Sequence, residues 1–247
     1  ENISDEQVYS AMEVLNRDFR LLNDDVSDVV SEFEDLPSDI HIEFRLAKRD
    51  PDGNCTRGIN RVESSLTYQG DSQMKSLIYW PREMYMNVWV CADAGGAAGY
   101  TFLPGSVDNP WMEDEDGIVL LHDYTGDMGT SNVFRSRTLT HEVGHWLNLM
   151  HPWGPTNNPG LTANCDTDDG VGDTPLTVGW TSCILDGESC GTLDNVQNYM
   201  DYSYCSRMFT PGQRTRMRTA AFSSVPDRNN LWSEQNLEAT GVFEESV

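Results

Sequence analysis

Three of the five histidines in this chain fall within eleven residues, at His141, His145 and His151, and Glu142 stands beside the first of them. On an α-helix, positions 141 and 145 lie one turn apart on the same face, so both imidazoles can reach one metal ion. Glu142 is offset by about 100°, beside such an ion rather than on it, where a carboxylate can take a proton from a water on the metal. Two imidazoles fill two of the four tetrahedral positions that zinc prefers. A helix continued to His151 would carry that residue about 9 Å beyond His145 and round the cylinder. A third ligand at 151 therefore requires a sharp turn, and Asn148 stands where it is needed, Asn being next to Gly in tolerating left-handed backbone. The short motif alone occurs on ordinary helices with two solvated histidines; His151 at this spacing argues against that reading. His41 and His122 lie in strand patterns and read as structural.

A site of this kind needs a helix to carry it and a scaffold to hold that helix. The carrier is predicted over about 137–148. Ser4 followed by Gln7 has the form of a capping box, and Val8, Met12, Leu15, Phe19 and Leu22 recur at helical spacing, which predicts an amphipathic helix near 5–22. Ile40, Ile42, Phe44 and Leu46 alternate with His41, Glu43 and Arg45, as in a strand with one buried face, and the segment ends in the turn residues Asp50 to Gly53. Residues 86–92 and 117–122 read as two more strands, and the Gly-rich piece 94–105 between them as an edge strand or a loop. A further helix is expected at about 211–222. Helix, strands and helix in this order imply a mixed α/β (α+β) upper subdomain over 1–151. Residues 152–195, rich in Gly, Pro, Asn, Asp and Cys with little periodicity, open an irregular lower subdomain over 152–247, and the two together make one catalytic domain.

The 247 residues include 40 acidic and 16 basic side chains, a formal charge of −24. Such a surface repels phosphate backbones and anionic lipid, so neither nucleic acid nor membrane is an expected partner. No apolar run approaches the ~20 residues of a membrane helix. No signal peptide opens the sequence, and any export or pro-segment is expected to have been removed. None of the six cysteines forms a CxxC pair, which leaves a zinc knuckle or dithiol redox site unsupported. Four of them fall within the 41 positions 165–205, as if to staple a segment with little core of its own, and disulfides imply an oxidising, extracellular setting.

The stretch 141–151 resembles the metzincin zinc signature, with Asn148 where Gly is usual, and Asn198 to Tyr202 resembles the Met-turn of that clan. With Asp50 to Asn54, Gly172 to Pro175 and Phe209 to Gln213, the chain resembles the pappalysin family, especially its compact microbial members, over roughly residues 5–225. The resemblance implies a secreted zinc endopeptidase made as a zymogen. Its zinc ligands would be His141, His145 and His151, Glu142 the general base, Met200 a packing floor beneath the metal, and Tyr202 a donor to the tetrahedral intermediate. It also implies a metzincin-like fold: a twisted mixed five-stranded sheet, a backing helix and an active-site helix above the cleft, and a disulfide-stapled lower lobe with a C-terminal helix. Expected partners are protein or peptide substrates and an N-terminal pro-segment acting as inhibitor. Bridges Cys165–Cys190 and Cys183–Cys205 are implied in the same way, and Cys55–Cys91 is the pair then remaining.

The segment 165–175 packs four aspartates into eight positions. Like charges so close need a cation or solvent, and similar segments in the family bind calcium. Asp166, Asp168, Asp169, Asp173 and the Thr174 carbonyl are the candidate ligands, since calcium takes 6–8 oxygens. The resemblance breaks at specificity: family members preferring a basic residue after the scissile bond carry acids shortly after the Met-turn, whereas Ser203 to Arg207 holds no carboxylate. Two other readings remain: a zinc enzyme whose third ligand is a downstream Glu, and a calcium-binding extracellular module that keeps the zinc site without proteolysis.

Overall fold

The computed structural model describes residues 2–243. Helix α1 (Asp5–Phe19) begins where the Ser4 hydroxyl accepts the Gln7 amide N–H, and Ala11, Val14, Leu15 and Phe19 form its buried face. It stops short of the expected residue 22, because Leu21 takes a left-handed φ of 52° and Leu22 turns out to solvent. The Gln7 side chain does not close a capping box. Its amide donates instead to the carbonyls of His122 and Thr125, tying the start of α1 to a distant loop.

Three strands make the sheet: β1 (Val88–Cys91), β2 (Gly99–Thr101) and β3 (Ile118–Leu121), in the order β1-β3-β2, and the short helices α2 (Ser72–Lys75) and α3 (Pro104–Val107) precede β1 and follow β2. β1 runs parallel to β3, and β2 pairs with it antiparallel as an edge strand. The sheet is mixed, as expected, but among the described residues it has three strands rather than five. The alternating segment 40–46 buries the expected face, with Ile40 inaccessible and Ile42 and Phe44 packed on the core, yet it joins no ladder. Its backbone is satisfied elsewhere: Ile40 N–H donates to Phe19 O, and the Asn16 amide both donates to and accepts from the Phe44 backbone. His41, at φ 57°, interrupts the extended run and meets Asp39 at the surface.

Helix α4 (Thr138–Trp146) lies against the sheet and α1, sharing one core with Leu15, Phe19, Ile118 and Leu120. Buried carboxylates hold both of its ends. At the start, Asp18 accepts from Thr140 Oγ1 at 2.8 Å and pairs with Arg137, whose guanidinium also forks onto Asp25. At the end, Asp116 accepts two bonds of 2.7 Å from Arg228 and one of 3.1 Å from Trp146 Nε1, while Arg228 stacks 3.6 Å over the Trp146 ring. Removing one member of such a buried pair costs about 3–5 kcal/mol.

Past residue 151 the chain is irregular until α5 (Pro211–Ala221), which opens with a capping box of Thr210 and Gln213, and α6 (Glu234–Ala239) follows it. The bridges Cys165–Cys190 and Cys183–Cys205 are both present. Cys55–Cys91 is not, and both are free thiols. Cys91 points into the apolar face of the sheet with Trp89, Val119 and Met74, whereas Cys55 lies exposed in the turn that closes on Arg49. Burial raises the Cys91 thiol to about 11, so a thiol reagent on the folded protein should modify Cys55 alone. Two reactive thiols in the native state would show Cys91 to be accessible, and none after unfolding without reductant would show the two to be paired.

Candidate metal centre

The zinc-type motif occupies the last two turns of α4, and the helix ends where the sequence requires it to. Asn148 sits at φ 74°, Asn148 N–H donates to His145 O at 2.8 Å, and Leu149 N–H reaches back to Gly144 O at 2.9 Å. That pair of bonds is a Schellman exit. It swings the chain back so that His151 faces the helix. Gly154 N–H then closes on His151 O at 2.8 Å, forming a second tight turn.

The three imidazoles converge. His145 Nε2 is 3.1 Å from His141 Nε2 and 3.2 Å from His151 Nε2. Each Nδ1 is directed at a backbone carbonyl: His141 at Tyr199 O (2.7 Å), His145 at Leu149 O (2.7 Å) and His151 at Thr156 O (3.1 Å). Since a carbonyl only accepts, every Nδ1 carries the proton and every Nε2 presents a lone pair. Three lone pairs facing one another without a hydrogen between them call for a cation. Zinc–nitrogen bonds of 2.0–2.1 Å at tetrahedral angles separate the nitrogens by roughly 3.3 Å, so the donor set and its spacing fit zinc. Burial together with neighbouring His145 lowers His141 to about 3, burial lowers His145 to about 4, and His151 falls further still. The rings are therefore neutral and ready to ligate. Among the described residues these three are the only group of three or more His, Cys, Asp or Glu close enough to share an ion.

Glu142 is buried beside them, its Cγ close under Gly99 of the edge strand β2, and among the described residues its carboxyl has no hydrogen-bond or ion-pair partner. Burial raises it to about 8. The Tyr202 ring leans on His151 (4.7 Å) and His141 (5.5 Å), and burial, with the Glu142 carboxylate nearby, raises its phenol to about 12. Met200 is inaccessible and packs under α4 so tightly that a Cβ on Gly144 would lie 2.4 Å from its sulfur. Asn198 fixes that turn, accepting from Met200 N and exchanging amide bonds with Gln213 of α5.

Sequence reasoning missed the carbonyls of Tyr199, Leu149 and Thr156, and it missed Trp153, which stacks parallel on His151 at 4.4 Å. A carbonyl has no side-chain identity to read, but a buried Trp two residues after a ligand could have been singled out. The aspartates of 165–175 do not converge as the histidines do. Asp166 and Asp168 are exposed, and Asp173 accepts from Thr210 Oγ1 and Gly212 N at the start of α5. Asp169 is buried, with Oδ1 held by Val171 N and Thr174 Oγ1 and Oδ2 without a partner.

A three-histidine cluster on a metzincin fold is the arrangement of a class of metallopeptidases. The profile of peptidase family M43, described as pregnancy-associated plasma protein-A, matches residues 68–221, and the chain belongs to this pappalysin family. Mature mirolysin of Tannerella forsythia, solved with a cleaved peptide, superimposes with a TM-score of 0.84 and 33% identity over 97% of this chain and 92% of that one. Extracellular metalloproteases of Neurospora crassa and Podospora anserina are 39% identical over 141 residues and 32% identical over 185 residues. Those matches take in 53% and 72% of this chain, and 46% and 59% of the fungal proteins.

The exit at residue 148 can be tested directly. Asn148→Gly keeps the left-handed turn and should leave stability and zinc binding intact. Asn148→Val, with a branched side chain forced to positive φ, should lose about 1–2 kcal/mol in denaturant unfolding and bind zinc more weakly. Equal behaviour of the two variants would remove the turn from its role.

Proposed function

We propose that the chain is a secreted zinc-dependent endopeptidase, with 1–151 as the upper and 152–247 as the lower subdomain of one catalytic unit. One observation carries the reading: three Nε2 lone pairs meet at ligand spacing beside a buried carboxyl that has no other partner among the described residues. His141, His145 and His151 would hold a zinc ion, which would supply Lewis acidity to lower the pKa of water towards ~7 and to polarise a carbonyl oxygen. Glu142 takes the proton of the attacking water and hands it to the leaving amine. The Tyr202 hydroxyl, protonated throughout the neutral range, donates to the developing oxyanion. Met200 holds the floor.

The edge strand supports a peptide substrate. Because Leu121 N–H bonds Ala98 O, the alternation of antiparallel pairs turns the N–H and C=O groups of Gly99 and Thr101 outward. An extended peptide can pair with them directly above Glu142. Names of the fungal relatives and the two disulfides support secretion, and an N-terminal pro-segment is the expected inhibitor. The buried, unpartnered Oδ2 of Asp169 supports a structural calcium ion in the loop it shares with Asp166, Asp168, Asp173 and the Thr174 carbonyl.

Casein hydrolysis should be abolished by a zinc chelator and restored by zinc. Glu142→Gln should bind one zinc and lose at least about 100-fold in kcat/KM; turnover in that variant with zinc bound would remove Glu142 from its role. A protein that binds zinc and calcium but cleaves nothing would be the binding module instead. With zinc kept saturating, calcium chelation should lower Tm by about 5–10 °C, and Asp169→Asn should abolish that response. An unchanged Tm would exclude a structural calcium.

A further inference from the structure

His141 and His145 are oriented by the helix that bears them, but His151 stands outside it on a tight turn, and something else must fix its ring. We infer that Trp153 is a positioning residue, setting the ring plane of His151 and the approach of Tyr202, and linking both to the disulfide-stapled loop of the lower lobe. The inference rests on the proposed zinc site.

Trp153 is fully buried, and its indole lies parallel to the His151 imidazole, 4.4 Å away at an interplanar angle of 1°. Its Nε1 donates to Thr156 O at 2.7 Å, the same carbonyl that His151 Nδ1 meets at 3.1 Å. One oxygen with two lone pairs thus serves both rings, and rotating either one breaks a bond and a stack together. Tyr202 completes the group, its ring edge-on to Trp153 at 5.0 Å and to His151 at 4.7 Å. The Tyr202 ring is thus set beside the stacked pair, and with it the direction of a hydroxyl that must reach a reacting carbonyl.

The other side of the indole belongs to the lower lobe. A Cβ on Gly179 would lie 2.4 Å from the Trp153 ring, so Gly179, at φ 82°, lets the 177–180 segment press flat against it. Thr167, two residues from Cys165 of the Cys165–Cys190 bridge, donates its hydroxyl to Trp153 O at 2.8 Å. The same loop carries Asp168 and Asp169. Trp153 meets this loop through its carbonyl and the third histidine through its ring, so a change in the loop reaches the histidine cluster through it.

The test compares zinc affinity and the visible spectrum of the cobalt-substituted protein in the parent, Trp153→Phe and Trp153→Leu, with Trp232→Leu at an exposed site as control. Leu removes the stacking face and should weaken zinc by about 10- to 100-fold and alter the cobalt bands. Phe keeps a face but drops the shared hydrogen bond, and should speed zinc release about threefold with KM unchanged and kcat reduced through Tyr202. The control should match the parent. If Trp153→Leu does not fold, zinc release from Trp153→Phe decides. Parent-like zinc release and cobalt spectra in the folded variants would overturn the inference while leaving the peptidase reading intact. A parent that binds no zinc would overturn both.

Discussion

Three neutral imidazoles whose lone pairs face one another repel unless a cation lies among them, and the rest of this chain is arranged to hold them in that unfavourable proximity. Each ring donates its Nδ1 proton to a carbonyl of a different segment: the Met-turn, the helix exit and the loop after residue 154. The arrangement sets the tautomer and removes the alternative in which the rings turn away. Free energy that a metal-free protein gives up here is recovered on binding, which is the general logic of a preformed metal site.

Holding the rings in turn demands that α4 not shift. Its two ends are gripped by charges buried for the purpose, Asp18 with Arg137 at one and Asp116 with Arg228 at the other. Such pairs contribute little net stability against apolar replacements, but they fix orientation, because leaving either partner alone is so costly. The floor is equally tight: Gly144 has no room for a methyl group against Met200. Position along the helix, rotation about it and distance from the lower lobe are each set by a different contact.

The convergence of the three histidines is legible in the sequence because it depends on side-chain identity and spacing. His141, Glu142, His145 and His151 needed only the helical period and a turn at Asn148. The α-helices that carry and back the site were legible for the same reason, their apolar periodicity being long enough to read. What stayed hidden depends on partners distant in the chain. The segment 40–46 alternates like a strand and buries like one, but Asn16 and Phe19 supply its hydrogen bonds, and no local pattern reports that. Cys55 and Cys91 completed an even count, yet one faces solvent and the other an apolar sheet face. The role of Trp153 emerges only when Thr156 O is seen to serve two donors.

The exit at Asn148 has a consequence for how the length of this region can vary. Between His145 and His151 the helix exit sets the path of the chain, so inserting or deleting one residue would rotate the third imidazole away from the other two by a large fraction of a turn. Beyond Thr156 the chain meets the site again at Thr167 and Gly179, against Trp153, and at the Met-turn, through Tyr199 O, Met200 and Tyr202. Extra loop between those contacts would add slowly growing closure entropy while the contacts themselves hold the histidines in place. Length changes are therefore tolerable between the contacts beyond Thr156 and ruinous before it, a boundary only a few residues from the centre of the site.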